Sequence, residues 1–244
     1  MARVAVHLAH AAGMAGIGYP LMTPARRRLA LQRWSAQLVR HLAGRLTVHG
    51  EPPPQGTRGA APVMLVSNHV SWLDIFVINA AVPTRFVAKS EVRAWPLVGW
   101  LCVKADTLFI QRGRRRDLAR LDELIVNALR SDAAAGTSIG VFLEGATTDG
   151  SEVLPFHSSL LRAAQQVDVP VYPVAIQYRR SDGSICTEAA YDGDKTALDT
   201  LRLMLTQPEI HVHVHFLPPL AASGVHRKVL AREARALIVQ RLFP

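Results

Sequence analysis

Residues 63–82 read Val63-Met64-Leu65-Val66-Ser67-Asn68-His69-Val70-Ser71-Trp72-Leu73-Asp74-Ile75-Phe76-Val77-Ile78-Asn79-Ala80-Ala81-Val82, and Pro83 follows. The apolar run Val63–Val66 predicts a short buried strand. The run from Leu73 to Val82 predicts a helix that Pro83 ends. Seven residues, Asn68 to Asp74, therefore occupy a strand-to-helix junction. In α/β proteins that junction is a preferred place for chemistry, because helix N-terminal N–H groups point at whatever binds there.

His69 and Asp74 are separated by four residues. With His69 in the turn and Asp74 in the first helical turn, the carboxylate can reach one imidazole nitrogen and leave the other for substrate. A carboxylate that fixes the tautomer of a histidine makes it a usable general base. A plainer alternative stands beside this one. Ser71-x-x-Asp74 is also a capping-box pattern, in which Asp74 caps the helix and His69 is an ordinary turn residue.

Outward from the junction, short apolar runs recur. Arg85–Lys89, Thr107–Ile110, Ile139–Leu143 and Val169–Tyr178 read as strands, the last an edge or irregular one because of Pro170 and Pro173. Trp95–Trp100 opens a short apolar helix. Leu118–Leu129 and Val225–Leu242 read as longer helices. The alternation predicts an α/β fold with a central, mostly parallel or mixed sheet flanked by helices. His211, His213 and His215 alternate with apolar residues, which is strand periodicity. Same-face residues on one strand rarely close a tetrahedral site, so no metal is expected there.

The chain of 244 residues carries a formal charge of +9, and residues 1–50 hold seven Arg with no Lys, Asp or Glu. So concentrated a positive charge suggests an anionic surface, phospholipid or nucleic acid. No aromatic-interleaved nucleic-acid motif accompanies it. Val4–Met22 is a soft apolar run, and Arg26–Leu46 reads as an amphipathic helix with Leu31, Trp34, Leu38, Leu42 and Leu46 on one side. Such a helix fits a bilayer interface, or else packs on its own domain with a solvated Arg face. A proline- and glycine-containing stretch from Glu51 to Pro62 suggests two parts. These are a membrane-associating helical segment, 1–50, and a catalytic domain, 51–244. The two cysteines, Cys102 and Cys186, are too distant in sequence for a CxxC site and suit a reducing compartment.

Four blocks stand in order: Asn68-His69-x4-Asp74, Phe109-Ile110-Gln111-Arg112, Phe142-Leu143-Glu144-Gly145 and Val169-Pro170-Val171-Tyr172-Pro173-Val174-Ala175. Together, over about residues 60–180, they resemble the glycerophospholipid acyltransferases, of which the 1-acyl-glycerol-3-phosphate acyltransferases are the best known. The resemblance implies that His69 is the general base and Asp74 its partner. It implies that Arg112, Glu144, Gly145 and Thr147 lie at the acceptor's polar head. The reaction implied moves a fatty acyl group from acyl-CoA or acyl carrier protein to the hydroxyl of a lysophospholipid, giving phosphatidic acid from 1-acyl-sn-glycerol-3-phosphate. No metal or redox cofactor is implied. The family works on membranes, here the cytoplasmic face of a bacterial inner membrane, reached through residues 1–50.

The sequence departs from the family at one informative place. The third block commonly continues Pro-Glu-Gly-Thr-Arg, whereas here Leu143 replaces the proline and Ala146-Thr147 replace Thr-Arg. The stretch that follows resembles a bacterial branch that includes lyso-ornithine lipid O-acyltransferases, which makes that lipid the alternative acceptor. A non-enzymatic basic lipid-binding protein is the alternative of another class. The absence of a Ser or Cys in an elbow motif predicts direct transfer without an acyl-enzyme. Backbone N–H groups near Gly145, or at the start of the helix after His69, are expected to hold the tetrahedral oxyanion.

Overall fold

A computed structural model of the chain describes residues 9–54, 61–94, 98–110, 115–131 and 138–244. Seven strands form one sheet: β1 (Gly44–His49), β2 (Val63–Ser67), β3 (Thr84–Lys89), β4 (Leu108–Ile110), β5 (Ser138–Phe142), β6 (Val171–Arg180) and β7 (Ile210–Phe216). Their order across the sheet is β1-β7-β6-β2-β5-β3-β4. Every neighbouring pair is parallel except β6 with β7.

The helices are α1 (Pro24–Leu42), α2 (Asp74–Ala81), α3 (Val98–Lys104), α4 (Arg115–Ser131), α5 (Leu161–Val167), α6 (Ala197–Thr206) and α7 (Arg227–Leu242). Residues 9–21 are helical too, with a π turn at Met14–Gly18. Strand side chains alternate between the two faces. Val63 and Leu65 of β2 join a core with Leu38 and Val39 of α1, Val77 and Ile78 of α2 and Met204 of α6. Met64 and Val66 join the opposite core with Ile125 and Leu129 of α4, Leu161 of α5 and Leu230 of α7. All five residues of β2 are buried. It is the central strand, and the Asn68–Asp74 junction leaves from its carboxyl end.

Two expectations need correction. The helix read over Arg26–Leu46 stops at Leu42. Gly44 takes φ +95°, which breaks the helix, and Arg45–His49 pair with β7 as an edge strand. Leu46 extends the Leu38–Leu42 spacing by coincidence, while Thr47 and Val48 are β-branched and suit a strand. The apolar side of α1 faces the protein: Trp34, Leu38 and Leu42 are buried, and the Trp34 ring meets Phe76 of α2 edge-on at 5.4 Å. Because β1 and α1 belong to the same sheet and core as the rest, packing is continuous across position 50.

The second correction concerns β6, which lies inside the sheet rather than at its edge. Pro173 is tolerated because its C=O, on the β7 side, accepts the N–H of Leu217, just past the last ladder pair, Val174–Phe216. The missing proline N–H thus falls between the last ladder pair and the isolated Val171–Leu220 bridge, where the pairing is already interrupted. Among the remaining expectations, Trp95, Pro96 and Leu97, residues 55–60 of the linker and residues 1–8 lie outside the described residues.

Candidate active site

The carboxyl ends of parallel strands β2 and β5 converge on the junction, the usual location for a site in an open α/β sheet. Asn68 leaves β2 and acts as a surrogate strand residue. Its side chain donates to the Ile176 carbonyl at 3.0 Å and accepts the Ile176 N–H at 2.8 Å, both in β6. That buried pair of hydrogen bonds sets the point where β2 ends and the turn begins.

His69 follows. Its Nδ1 lies 2.8 Å from Asp74 Oδ2. An ionised carboxylate only accepts, so Nδ1–H donates and Nε2 is left with a lone pair. The ring is stacked on Phe142, with centroids 3.8 Å apart and planes 10° apart, and Phe142 stacks in turn on Phe86 at 5.6 Å. One nitrogen is therefore anchored, one ring face is covered, and the His69 side chain keeps 21% of its surface while Asp74 keeps none. This is the geometry of a general base that meets substrate on one side only.

Asp74 is the first residue of α2, and its carboxylate collects four donors. Oδ2 accepts from His69, from Val70 N–H at 2.8 Å and from Ser71 N–H at 2.9 Å; Oδ1 accepts the Tyr178 hydroxyl at 2.6 Å. The two alternatives posed by the sequence are thus joined at one oxygen, which closes the turn and orients the imidazole. The other half of a capping box is missing, because Ser71 Oγ accepts from Leu73 N–H at 3.3 Å instead.

Glu144, at the end of β5, is buried. Its carboxylate ties two backbone segments of the site together. Oε1 accepts the N–H of His69 at 2.7 Å, and Oε2 accepts the N–H of Leu154 at 2.6 Å. Burial raises its pKa to about 6, against the pull of those two N–H groups. The physical reason for its placement is that the His69 N–H would otherwise be a buried orphan. A second tie holds the same turn: Thr148 N–H donates to the His69 carbonyl at 3.0 Å.

Gly145 takes φ +77°, a backbone that favours glycine, and a β-carbon there would sit 3.4 Å from the His157 ring. Thr147 is half-buried, and its hydroxyl donates to the Tyr191 carbonyl. Tyr191 N–H in turn donates to the Val70 carbonyl at 2.8 Å. So the structure gathers His69, Asp74, Glu144, Gly145 and Thr147 around one turn. Arg112 lies outside the described residues. The N–H groups of residues 69, 70, 71, 73 and 74 all have acceptors within the chain.

Sequence reasoning missed Tyr178, Phe142 as a stacking partner, and Tyr191. A tyrosine on the inward face of a buried strand signals a hydroxyl that needs a partner, but not which one. The three histidines of β7 find different hydrogen-bond partners on the face away from Tyr178. His211 lies 2.8 Å from Glu209, His213 lies 3.1 Å from His49 of β1, and His215 accepts from Arg241 at 3.0 Å. Burial, with Arg241 and the neighbouring histidines, lowers the His215 pKa to about 4. Among the described residues, no group of three or more His, Cys, Asp or Glu is arranged to hold a metal ion.

The sheet and the His69–Asp74 pair define an α/β protein with a hydrogen-bonded histidine and carboxylate at the carboxyl end of its central strand. Residues 45–177 match the family model described as Acyltransferase, and the chain belongs to that family. A lyso-ornithine lipid O-acyltransferase of Pseudomonas aeruginosa is 40% identical over 222 residues, covering 91% of this chain and 81% of that protein. A 1-acyl-sn-glycerol-3-phosphate acyltransferase of Neisseria gonorrhoeae is 34% identical over 142 residues, 58% of this chain and 53% of that protein. The crystal structure of the 1-acyl-sn-glycerophosphate acyltransferase PlsC from Thermotoga maritima shares the fold, with a TM-score of 0.64. It is 20% identical, and the match covers 97% of this chain and 92% of that one. The family decides for an acyltransferase over a non-enzymatic lipid-binding protein.

Proposed function

We propose that this chain transfers a fatty acyl group from an acyl thioester, acyl-CoA or acyl carrier protein, to the free hydroxyl of lyso-ornithine lipid. The observation that carries the reaction is the His69–Asp74 pair, with Nδ1 anchored at 2.8 Å and the far nitrogen left for substrate. Nε2 takes the hydroxyl proton as the oxygen attacks the thioester carbonyl. The new C–O bond forms, the C–S bond breaks, and the proton passes from His69 to the departing thiolate. Ester and free thiol leave, and no metal or redox group takes part.

The acceptor reading rests on Thr147. Where the family carries an arginine, this chain has a neutral hydroxyl bonded to the Tyr191 carbonyl. A phosphomonoester would lose its bidentate partner there. The greater reach of the Pseudomonas relative along this chain points the same way. A second reading, 1-acyl-sn-glycerol-3-phosphate giving phosphatidic acid, is favoured by the Neisseria relative and by the Arg-rich stretch Arg112–Arg116.

We also infer that the amino-terminal face docks on a bilayer, at the inner membrane's cytoplasmic side. What supports it is exposed apolar side chains and exposed cations in the same amino-terminal segment. Ile17 and Leu21 are 76% and 82% exposed, and Gly16 lies against the partly exposed ring of Trp100. Arg26, Arg33 and Arg40 of α1 are exposed as well. No helix of the described residues is long and apolar enough to cross a membrane.

The test presents both lysolipids, separately, in vesicles of phosphatidylethanolamine and phosphatidylglycerol with acyl-CoA or acyl carrier protein as donor. Turnover is expected with lyso-ornithine lipid and at least tenfold less with lysophosphatidate. The reverse order would establish the second reading. Flotation of the same vesicles is expected to carry the protein, and an Ile17→Ser/Leu21→Ser variant is expected to float less. Equal flotation of the two proteins would remove the docking face.

A further inference from the structure

Tyr178 lies in β6, 104 residues from Asp74, and its ring is buried. It donates to Asp74 Oδ1, the carboxylate oxygen that faces away from His69. Oδ2 carries three hydrogen bonds, whereas the bond to Oδ1 comes from this phenol. The hydrogen-bonded order Tyr178–Asp74–His69 is continuous. Such chains polarise one another in a low-dielectric interior.

We propose that Tyr178 is a positioning and tuning residue for the base: its hydrogen bond to Oδ1 draws charge off Asp74 and so limits how strongly the carboxylate holds the proton on His69. This rests on the reading of His69 as the general base. The sense of the effect follows from the geometry. With the phenol in place, the carboxylate charge is shared among four donors. Without it, Oδ1 faces a buried pocket with one donor fewer, and charge concentrates on Oδ2, where Nδ1–H is bound. The imidazolium is then favoured, and Nε2 is occupied by a proton over a wider range of pH. A base that is already protonated cannot accept the acceptor's proton.

Tyr178 is fit for this task because it stays a donor. Burial, and then the adjacent Asp74 charge, push its phenol well above the ordinary tyrosine range. The other titratable groups facing the pair are Glu144, on the His69 N–H, and Cys186, whose thiol lies near Tyr178. Burial raises the Cys186 thiol to about 11, so it stays neutral through the working range. Glu144, at about 6, titrates within that range, but replacing Tyr178 leaves it in place. α1 and β7 contribute apolar side chains, Leu38, Val39, Val212 and Val214, to the core beneath α2.

The experiment is the pH–rate profile of the full-length protein and of Tyr178→Phe, which deletes one oxygen and keeps the ring, measured in vesicles with a saturating acyl thioester. The acid limb of the Tyr178→Phe profile is expected to move about one unit toward higher pH, with the plateau and both KM values within about threefold of wild type. At a pH on the acid limb that shift reads as a rate about tenfold lower. A purely structural tyrosine would lower the rate equally at every pH and leave the limb unmoved, and that result would overturn the proposal. His69→Ala, run in parallel, separates the two levels. If it retains turnover, the base assignment itself fails; if it is inactive while Tyr178→Phe has an unmoved limb, only the tuning role fails. Should Tyr178→Phe not fold, a fluorotyrosine at position 178, a stronger donor on the same ring, carries the test. A shift of the acid limb toward lower pH supports the proposal, and an unmoved limb overturns it.

Discussion

Asp74→Ala is expected to cost this protein about 3–5 kcal/mol of stability and nearly all of its activity. The substitution removes one acceptor from four donors: Nδ1–H of His69, the N–H groups of Val70 and Ser71, and the Tyr178 hydroxyl. A buried donor left without a partner costs about 1–3 kcal/mol, and neighbouring donors of one network are not additive. The sum is a large part of the roughly 5–15 kcal/mol by which domains are stable. Thermal unfolding is the measurement, with a fall in Tm of about 10 °C expected for a chain of this size. Asp74→Asn is expected to fall between the two proteins. Its amide oxygen can serve one group, but its NH2 confronts donors on the other side. An Asp74→Ala protein within about 1 kcal/mol of wild type would mean that the hydrogen bonds around this carboxylate are not formed in solution.

His69→Ala is expected to do the opposite: little to stability, much to rate. Asp74 retains its other three donors, and the His69 backbone remains tied through Glu144 and Thr148. The turn therefore persists while the base is gone. General base catalysis is typically worth about 10²–10⁴-fold, so kcat is expected to fall by that factor. KM for both substrates is expected to hold, because the interaction removed is one that strengthens as the proton moves. Steady-state release of thiol from the acyl thioester reads both quantities. A loss under about tenfold would leave His69 as a turn residue and nothing more.

The pairing at the heart of the site is legible in the amino-acid sequence. The fully buried β2 and the apolar run of α2 are contiguous, and the histidine and carboxylate between them are close neighbours along the chain. Local spacing therefore suffices to pair them. The features that escape such a reading are those fixed from far away. Tyr178 meets Asp74 across 104 residues, and Leu154 meets Glu144 through a loop whose path no motif encodes. A carboxylate at a strand end can point either way, so the sequence leaves Glu144 free to face substrate. Its bonds to the N–H groups of His69 and Leu154 become visible only when the turn is built. β1 is hidden by a leucine spacing that continues to Leu46 after the helix has stopped at Leu42, with Gly44 as the available sign. α5 and α6 are short, and their apolar positions are too few to declare a period. Thr147 shows the reverse. Its departure from the family pattern is plain in sequence, whereas its bond to Tyr191 is not.

Direct transfer, with His69 as base and no covalent acyl-enzyme, is the central claim. Its most direct test is the intact mass of the wild-type protein after incubation with excess acyl thioester and no acceptor, followed by addition of lyso-ornithine lipid. The mass is expected to remain that of the unmodified chain throughout, with ester and thiol appearing together only after the acceptor is added. A protein heavier by one acyl group before that addition, and restored by it, would contradict the account.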